Sequence, residues 1–159
     1  MRIEQFMKTD VISIGPDRTV RQAVAFMVAR HIGTLPVVDG SGKLLGLLTM
    51  TDVLHLFMPD FVSLLDQIDF VPDFGELESR ELSVEVADQP VRTVMRKPAS
   101  IVRSSGLLRA YAEIDRRDLL DLPVVDETGR LIGLASRVDV GAAFLAHWQS
   151  QLPARGEAP

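Results

Sequence analysis

The stretch Leu35 to Val53, LPVVDGSGKLLGLLTMTDV, returns 87 positions later as LPVVDETGRLIGLASRVDV, Leu122 to Val140. Eleven of its nineteen positions are identical, from Leu35, Pro36, Val37, Val38 and Asp39 through Gly42, Leu44, Gly46 and Leu47 to Asp52 and Val53. Such a chain is built from two equivalent units. Upstream the match is one of pattern: Val20, Ala23, Val24 and Met27 correspond to Leu107, Ala110, Tyr111 and Ile114, each an i, i+3, i+4, i+7 apolar stripe. Each copy therefore opens with an amphipathic helix.

Thr19 is the expected N-cap of the first helix, with Gln22 completing a capping box. Gly106 stands in the same place in the second copy and caps more weakly. After each helix come two short apolar runs around a Gly turn, Gly40-Ser41-Gly42 or Glu127-Thr128-Gly129, the pattern of a β-hairpin. A second helix follows at Thr51-Asp52-Val53 or Val138-Asp139-Val140, and Val11 to Ile14 alternates weakly, as a short strand does. Each half thus reads strand, helix, strand, strand, helix. A half of about 55 residues buries little by itself, so the two are expected to share a core.

The expected organisation is a first repeat over residues 1–57, an insert over 58–88, a second repeat over 89–148 and a disordered tail over 149–159. From Met58 to Asp88 the chain holds nine acids and one base, a balance of -8, while the whole chain carries -5. The remainder is mildly basic, with scattered surface arginine as the plain explanation. Phe61, Leu64, Leu65 and Ile68 sit at helical spacing in the insert and predict an amphipathic, acidic helix.

Several function classes drop out early. The chain has no cysteine, hence neither a disulfide framework nor a thiolate metal site or nucleophile. Its first residues lack the apolar run of a signal peptide, and nothing approaches the roughly 20 apolar residues of a membrane span. A soluble, cytoplasmic protein without membrane association is expected. Aromatics are few and not interleaved with bases, which argues against nucleic acid. His31, His55 and His147 share no motif, and Glu113 with Asp115 or Asp118 with Asp121 read as solvated helix-surface carboxylates. The acids of the insert lack calcium-loop spacing. The reading is therefore no enzyme, no catalytic cofactor and no structural metal.

The remaining constellations are Gly46-Leu47-Leu48-Thr49-Met50-Thr51-Asp52 and Gly133-Leu134-Ala135-Ser136-Arg137-Val138-Asp139. A strand ends, a hydroxyl residue follows, and an acid sits three residues later in the first turn of a helix. The hydroxyl can cap the helix for about 1 kcal/mol, with the acid complementing the dipole. The same geometry can receive a phosphate on the hydroxyl and backbone N–H groups while the carboxylate accepts bonds from a ribose diol. Local chemistry by itself favours the cap.

The doubled order of strand, helix, LPVVD, G-(K/R)-L-x-G-L and Thr/Ser-x-x-Asp resembles a tandem pair of CBS domains, the cystathionine β-synthase type, also called a Bateman module. The likeness spans Gln5 to Trp148 except the insert. It implies an α+β fold of two β-α-β-β-α repeats related by a pseudo-twofold axis, with clefts between them. Many members of this family bind AMP, ADP, ATP or, in some cases, S-adenosylmethionine there and act as sensors, and many pair into dimers. By position the resemblance makes Asp52 and Asp139 the ribose-binding acids and Thr49 and Ser136 the phosphate-contacting hydroxyls, with Thr51 and Arg137 assisting. Ile12, Ser13 and Ile14, and Ser100 and Ile101 in the other copy, would frame the adenine. Pro36 and Pro123 flank the clefts, and Thr34 stands just before LPVV. Some relatives place phosphate-holding bases there; here the residues are Gly33-Thr34 and Leu120-Asp121, and Asp121 would repel a polyphosphate if it faced the cleft. Arg30, His31 and Arg137 are the candidate substitutes. The second copy is also one residue shorter between Met95 and Leu107.

The expected function is a stand-alone regulatory module that binds an adenine nucleotide, AMP or ADP ahead of ATP, forms a homodimer and acts through a regulated protein partner. The rival expectation is a dimerisation or interaction scaffold whose clefts stay empty.

Overall fold

The computed structural model describes residues 1–57 and 83–151. The helix expected between Phe61 and Ile68, and the tail from 152 onward, lie outside the described residues.

Local chemistry sets the first helix as anticipated. Thr19 accepts from Gln22 N at 3.2 Å while Gln22 Oε1 accepts from Thr19 N at 3.1 Å, and the helix α1 (Val20–Arg30) runs from that box to His31. His31 ends it in the left-handed region at φ 51°, a conformation that non-glycine residues adopt at a cost. The chain then enters β1 (Thr34–Val38), turns at Gly42, φ 83°, and returns as β2 (Leu44–Thr49), which pairs with β1. Helix α2 (Met50–Phe57) follows without a break, and α3 (Val84–Asp88) begins the second half of the chain.

The second copy repeats the plan. After β3 (Ile101–Val102), the helix α4 (Leu107–Arg116) starts at Gly106, which offers no side-chain cap. Asp118, at φ 49°, takes the left-handed turn that His31 takes in the first copy. β4 (Asp121–Val125) and β5 (Leu131–Ser136) form the antiparallel pair around Gly129, φ 84°, and α5 (Arg137–Gln151) closes the copy. Its last three residues extend past the 148 boundary expected from sequence, because the helical bonding persists to Gln151.

The described elements form two compact units that do not follow chain order. One consists of Ile12–Gly40 and Leu45–Pro98. In it Ile14 bridges Val37 of β1 in parallel, with Ile14 N on Pro36 O at 2.9 Å and Val38 N on Ile14 O at 2.9 Å. The strand anticipated over Val11 to Ile14 is reduced to this bridge. Leu47 of β2 bridges Arg96 on the other side. Ala23, Met27, Leu35, Val37, Leu48, Val53 and Val91 bury a common core. The chain around the end of the expected insert joins this unit: Arg21 Nε reaches Asp88 Oδ1 at 2.8 Å, and Val20 N donates to Gln89 O at 3.0 Å.

The other unit consists of Met1–Val11, Ser41–Leu44 and Ala99–Pro159. Its three-stranded sheet has the order β3-β4-β5, with β3 parallel to β4. Lys8 extends it by bridging Leu134 of β5. Ile3, in a short 3-10 turn, is fully buried, as are Ala110, Ile114, Leu122, Val124 and Val140. The first eleven residues thus complete the unit that carries the second copy. In each unit a strand crosses the middle and a Met-basic dipeptide, Met95-Arg96 or Met7-Lys8, lies along its far edge.

Among the described residues no helix is long and apolar enough to cross a membrane.

Candidate functional site

Each unit gathers one hydroxyl-x-x-Asp motif at the junction of a strand and its following helix. At β2–α2, Asp52 N donates to Thr49 Oγ1 at 3.2 Å, and Asp52 Oδ2 accepts from Thr49 N at 2.9 Å and Thr49 Oγ1 at 2.7 Å. This is a reciprocal cap with aspartate as its acid. It also occupies Oδ2 and leaves Oδ1 as the oxygen open to another donor. At β5–α5, Ser136 Oγ accepts from Asp139 N at 2.9 Å and donates to Asp139 Oδ2 at 2.6 Å. The first amide of each helix is tied back to the loop before LPVV, Met50 N to Gly33 O at 2.8 Å and Arg137 N to Leu120 O at 2.7 Å.

The carboxylates also meet cations that the sequence reading did not single out. Arg96 Nε lies 2.5 Å from Asp52 Oδ1, and Lys8 Nζ lies 3.9 Å from Asp139 Oδ2. The cause is a close crossing. A Cβ on Gly46 would stand 2.6 Å from Met95 Sδ and 2.7 Å from Arg96 O, and one on Gly133 would stand 2.5 Å from Met7 Sδ and 3.0 Å from Lys8 O. The two glycines admit the Met-basic segments against the strands, and the next side chain falls beside the acid. The signal was present as Met7-Lys8 and Met95-Arg96, but these are 88 apart, one residue out of register with the 87-residue repeat.

The other expected residues divide by unit. Ile12, Ser13, Ile14, Thr34, Pro36, Thr49, Thr51 and Asp52 lie in the unit of the first copy; Ser100, Ile101, Pro123, Ser136, Arg137 and Asp139 lie in the other. Thr34 and Pro36 are buried, whereas Thr51 and Ser100 are exposed. Ser13 and Ile14 also line a groove of about 620 Å³ with Arg18, Phe26 and Arg30, and none of Thr49, Asp52 or Arg96 faces it. Arg137 is engaged by the preceding loop: its Nε donates to Leu119 O at 3.1 Å and its Nη2 to Asp118 Oδ1 at 3.0 Å. Asp121 stands opposite Ser136 in the β4–β5 register, which brings a second carboxyl group near that motif.

Two acids outside the motifs are shifted by structural partners. Glu113 is held below the ordinary carboxylate range by hydrogen bonds from Arg116 and then Arg117. Asp126 is lowered by the Thr128 hydroxyl and then by the Arg130 backbone N–H. Among the described residues no group of three or more His, Asp or Glu is placed to hold a metal ion.

Residues 3–59 and 91–145 both match the model of the CBS domain. The chain belongs to the CBS-domain family. It carries the tandem form, a CBS pair. The pair is 29% identical over 139 residues to a CBS domain-containing protein of Dictyostelium discoideum, covering 87% of each chain. It is 33% identical over 135 residues to the 5'-AMP-activated protein kinase subunit gamma-3 of Sus scrofa, of which it spans 23%. The crystal structure of the CBS-pair protein CBSX2 from Arabidopsis thaliana superposes with a TM-score of 0.71 at 25% identity, covering 93% of this chain and 96% of that one. CBSX2 in complex with AMP superposes with a TM-score of 0.69. The α+β tandem CBS fold expected from the repeats is therefore the fold observed.

Proposed function

We propose that this CBS pair is a regulatory module that binds an adenine nucleotide at its Thr/Ser-x-x-Asp motifs and passes the occupancy to a protein partner. The observation that carries the reading is the state of Asp52: one carboxylate oxygen is fixed by its own cap and the other meets a half-exposed cation. A carboxylate so oriented can take the two hydroxyls of a ribose, and the helix N-terminus beside it favours an anion. The AMP complex of CBSX2, and the similarity to a kinase subunit named for AMP, support an adenine nucleotide in particular. AMP or ADP ranks ahead of ATP, since the positions before LPVV hold no base. Regulation requires the ligand to prefer one arrangement of the protein over another.

The scaffold reading has one observation in its favour: both carboxylates already have a cation within reach. Thermal denaturation with AMP, ADP, ATP and S-adenosylmethionine separates the two. A nucleotide at 100 times its dissociation constant should stabilise by about 2.7 kcal/mol, and the gain should vanish in the double variant Asp52→Ala, Asp139→Ala. No shift of the wild type at millimolar ligand would rule out adenylate sensing.

A further inference from the structure

We infer that Arg96 makes the Asp52 motif selective for a phosphorylated ligand over the corresponding nucleoside, while the Asp139 motif discriminates weakly. The inference rests on the adenine-nucleotide reading and deepens it.

The starting point is which oxygen a ribose must use. Thr49 N and Oγ1 both bind Asp52 Oδ2, so an incoming diol has to take Oδ1, and Oδ1 is where Arg96 sits. A bare nucleoside would exchange a charge-assisted bond for neutral hydroxyls and leave the guanidinium without an anion. A phosphate supplies that anion. It also meets less repulsion from Asp52 once the guanidinium lies between them. The backbone cannot drift to accommodate either ligand, because Leu47 N donates to Arg96 O at 3.2 Å and Arg96 N to Leu47 O at 2.8 Å. Only the side chain moves. Its 44% exposure, against 14% for Asp52, gives it room to swing while the acid stays fixed. Arginine suits this exchange because its planar fork binds carboxylate and phosphate alike.

The other unit shares the pinned backbone but differs in its cation. Lys8 is 73% exposed and stands 3.9 Å from Asp139, a looser pair with a point charge in place of a fork. Arg137, the arginine inside the motif, is held by Asp118 and the Leu119 carbonyl. Asp121 adds negative charge across from Ser136. A phosphate gains little there.

Calorimetric titration with adenosine and AMP tests this, using Asp139→Ala to isolate the Asp52 motif and Asp52→Ala to isolate the other. With Asp139→Ala, AMP should bind at least about tenfold tighter than adenosine, the scale of one charge-assisted bond. Adding Arg96→Gln should shrink that ratio to about threefold or less by weakening AMP and not adenosine, and Arg96→Lys should retain part of it. With Asp52→Ala, Lys8→Gln should move the ratio by less than about threefold. If Arg96→Gln weakens both ligands alike, or leaves the ratio unchanged, Arg96 is a structural partner of Asp52 and the inference is overturned while nucleotide binding stands. If AMP does not bind the wild type, or binds the double Asp→Ala variant equally well, the proposed function itself fails.

Discussion

Asp126 and Asp139 are both identical between the copies, yet they do different things. Asp126, the partner of Asp39 in the repeat, accepts at Oδ1 from Thr128 N, Thr128 Oγ1 and Arg130 N at 2.9, 2.7 and 3.0 Å, and so builds the hairpin turn that Gly129 completes. Its folded pKa is depressed, so its contribution is present above the unfolded value near 3.9 and is lost as pH falls through the lower folded value. The amide resonances of Thr128 and Arg130 should therefore titrate with a midpoint below about 3.9, and Asp126→Asn should abolish that titration. A midpoint at or above the ordinary aspartate value would show that the three bonds do not favour the ionised form. Repetition marks a residue as necessary to the unit without saying whether for a turn or for a ligand. At Asp126 the necessity is the turn; at Asp52 the second carboxylate oxygen makes room for the larger proposal.

The hairpins and helices follow directly from local sequence. The Thr19-Gln22 box, the apolar stripe of α1, and the positive-φ glycines 42 and 129 are all readable one element at a time. What needs a neighbour is the glycine in the middle of β2 and β5. Gly46 and Gly133 have no turn to make; they are there because a methionine and a backbone carbonyl press on them. Gly46→Ala should cost about 1–3 kcal/mol in denaturant unfolding, the range of overpacking in a close-packed core. Gly133→Ala should cost less, since its nearest backbone atom is at 3.0 Å against 2.7 Å and both sites meet a flexible Met thioether besides. Gly46→Ala should also displace the Arg96 amide resonance. Equal stability of Gly46→Ala and wild type would refute the crossing as the reason for glycine.

At the scale of the molecule, the N-terminal segment completes a unit whose other elements begin about a hundred residues later in the chain. Ile3 is fully buried, Ile3 N donates to Ser105 O at 3.0 Å, and Lys8 and Leu134 exchange bonds at 2.7 and 2.9 Å. Ile3→Ala should therefore cost about 2–4 kcal/mol. Hydrogen exchange should show the loss in β4, β5 and α4 and leave β1 and α1 protected; the reverse pattern would contradict the placement of the segment. Sequence alone determined the repeat, its hairpins, its caps and the two hydroxyl-x-x-Asp motifs, because all of these depend on residues within a few positions of one another and on apolar periodicity. Folding in three dimensions decided which flanking segment completes each unit and which cation reaches each acid. Those pairings join Arg96 to Asp52 and Lys8 to Asp139 across 44 and 131 positions, and they exist because strand-edge hydrogen bonds and the space above a glycine bring remote chain together.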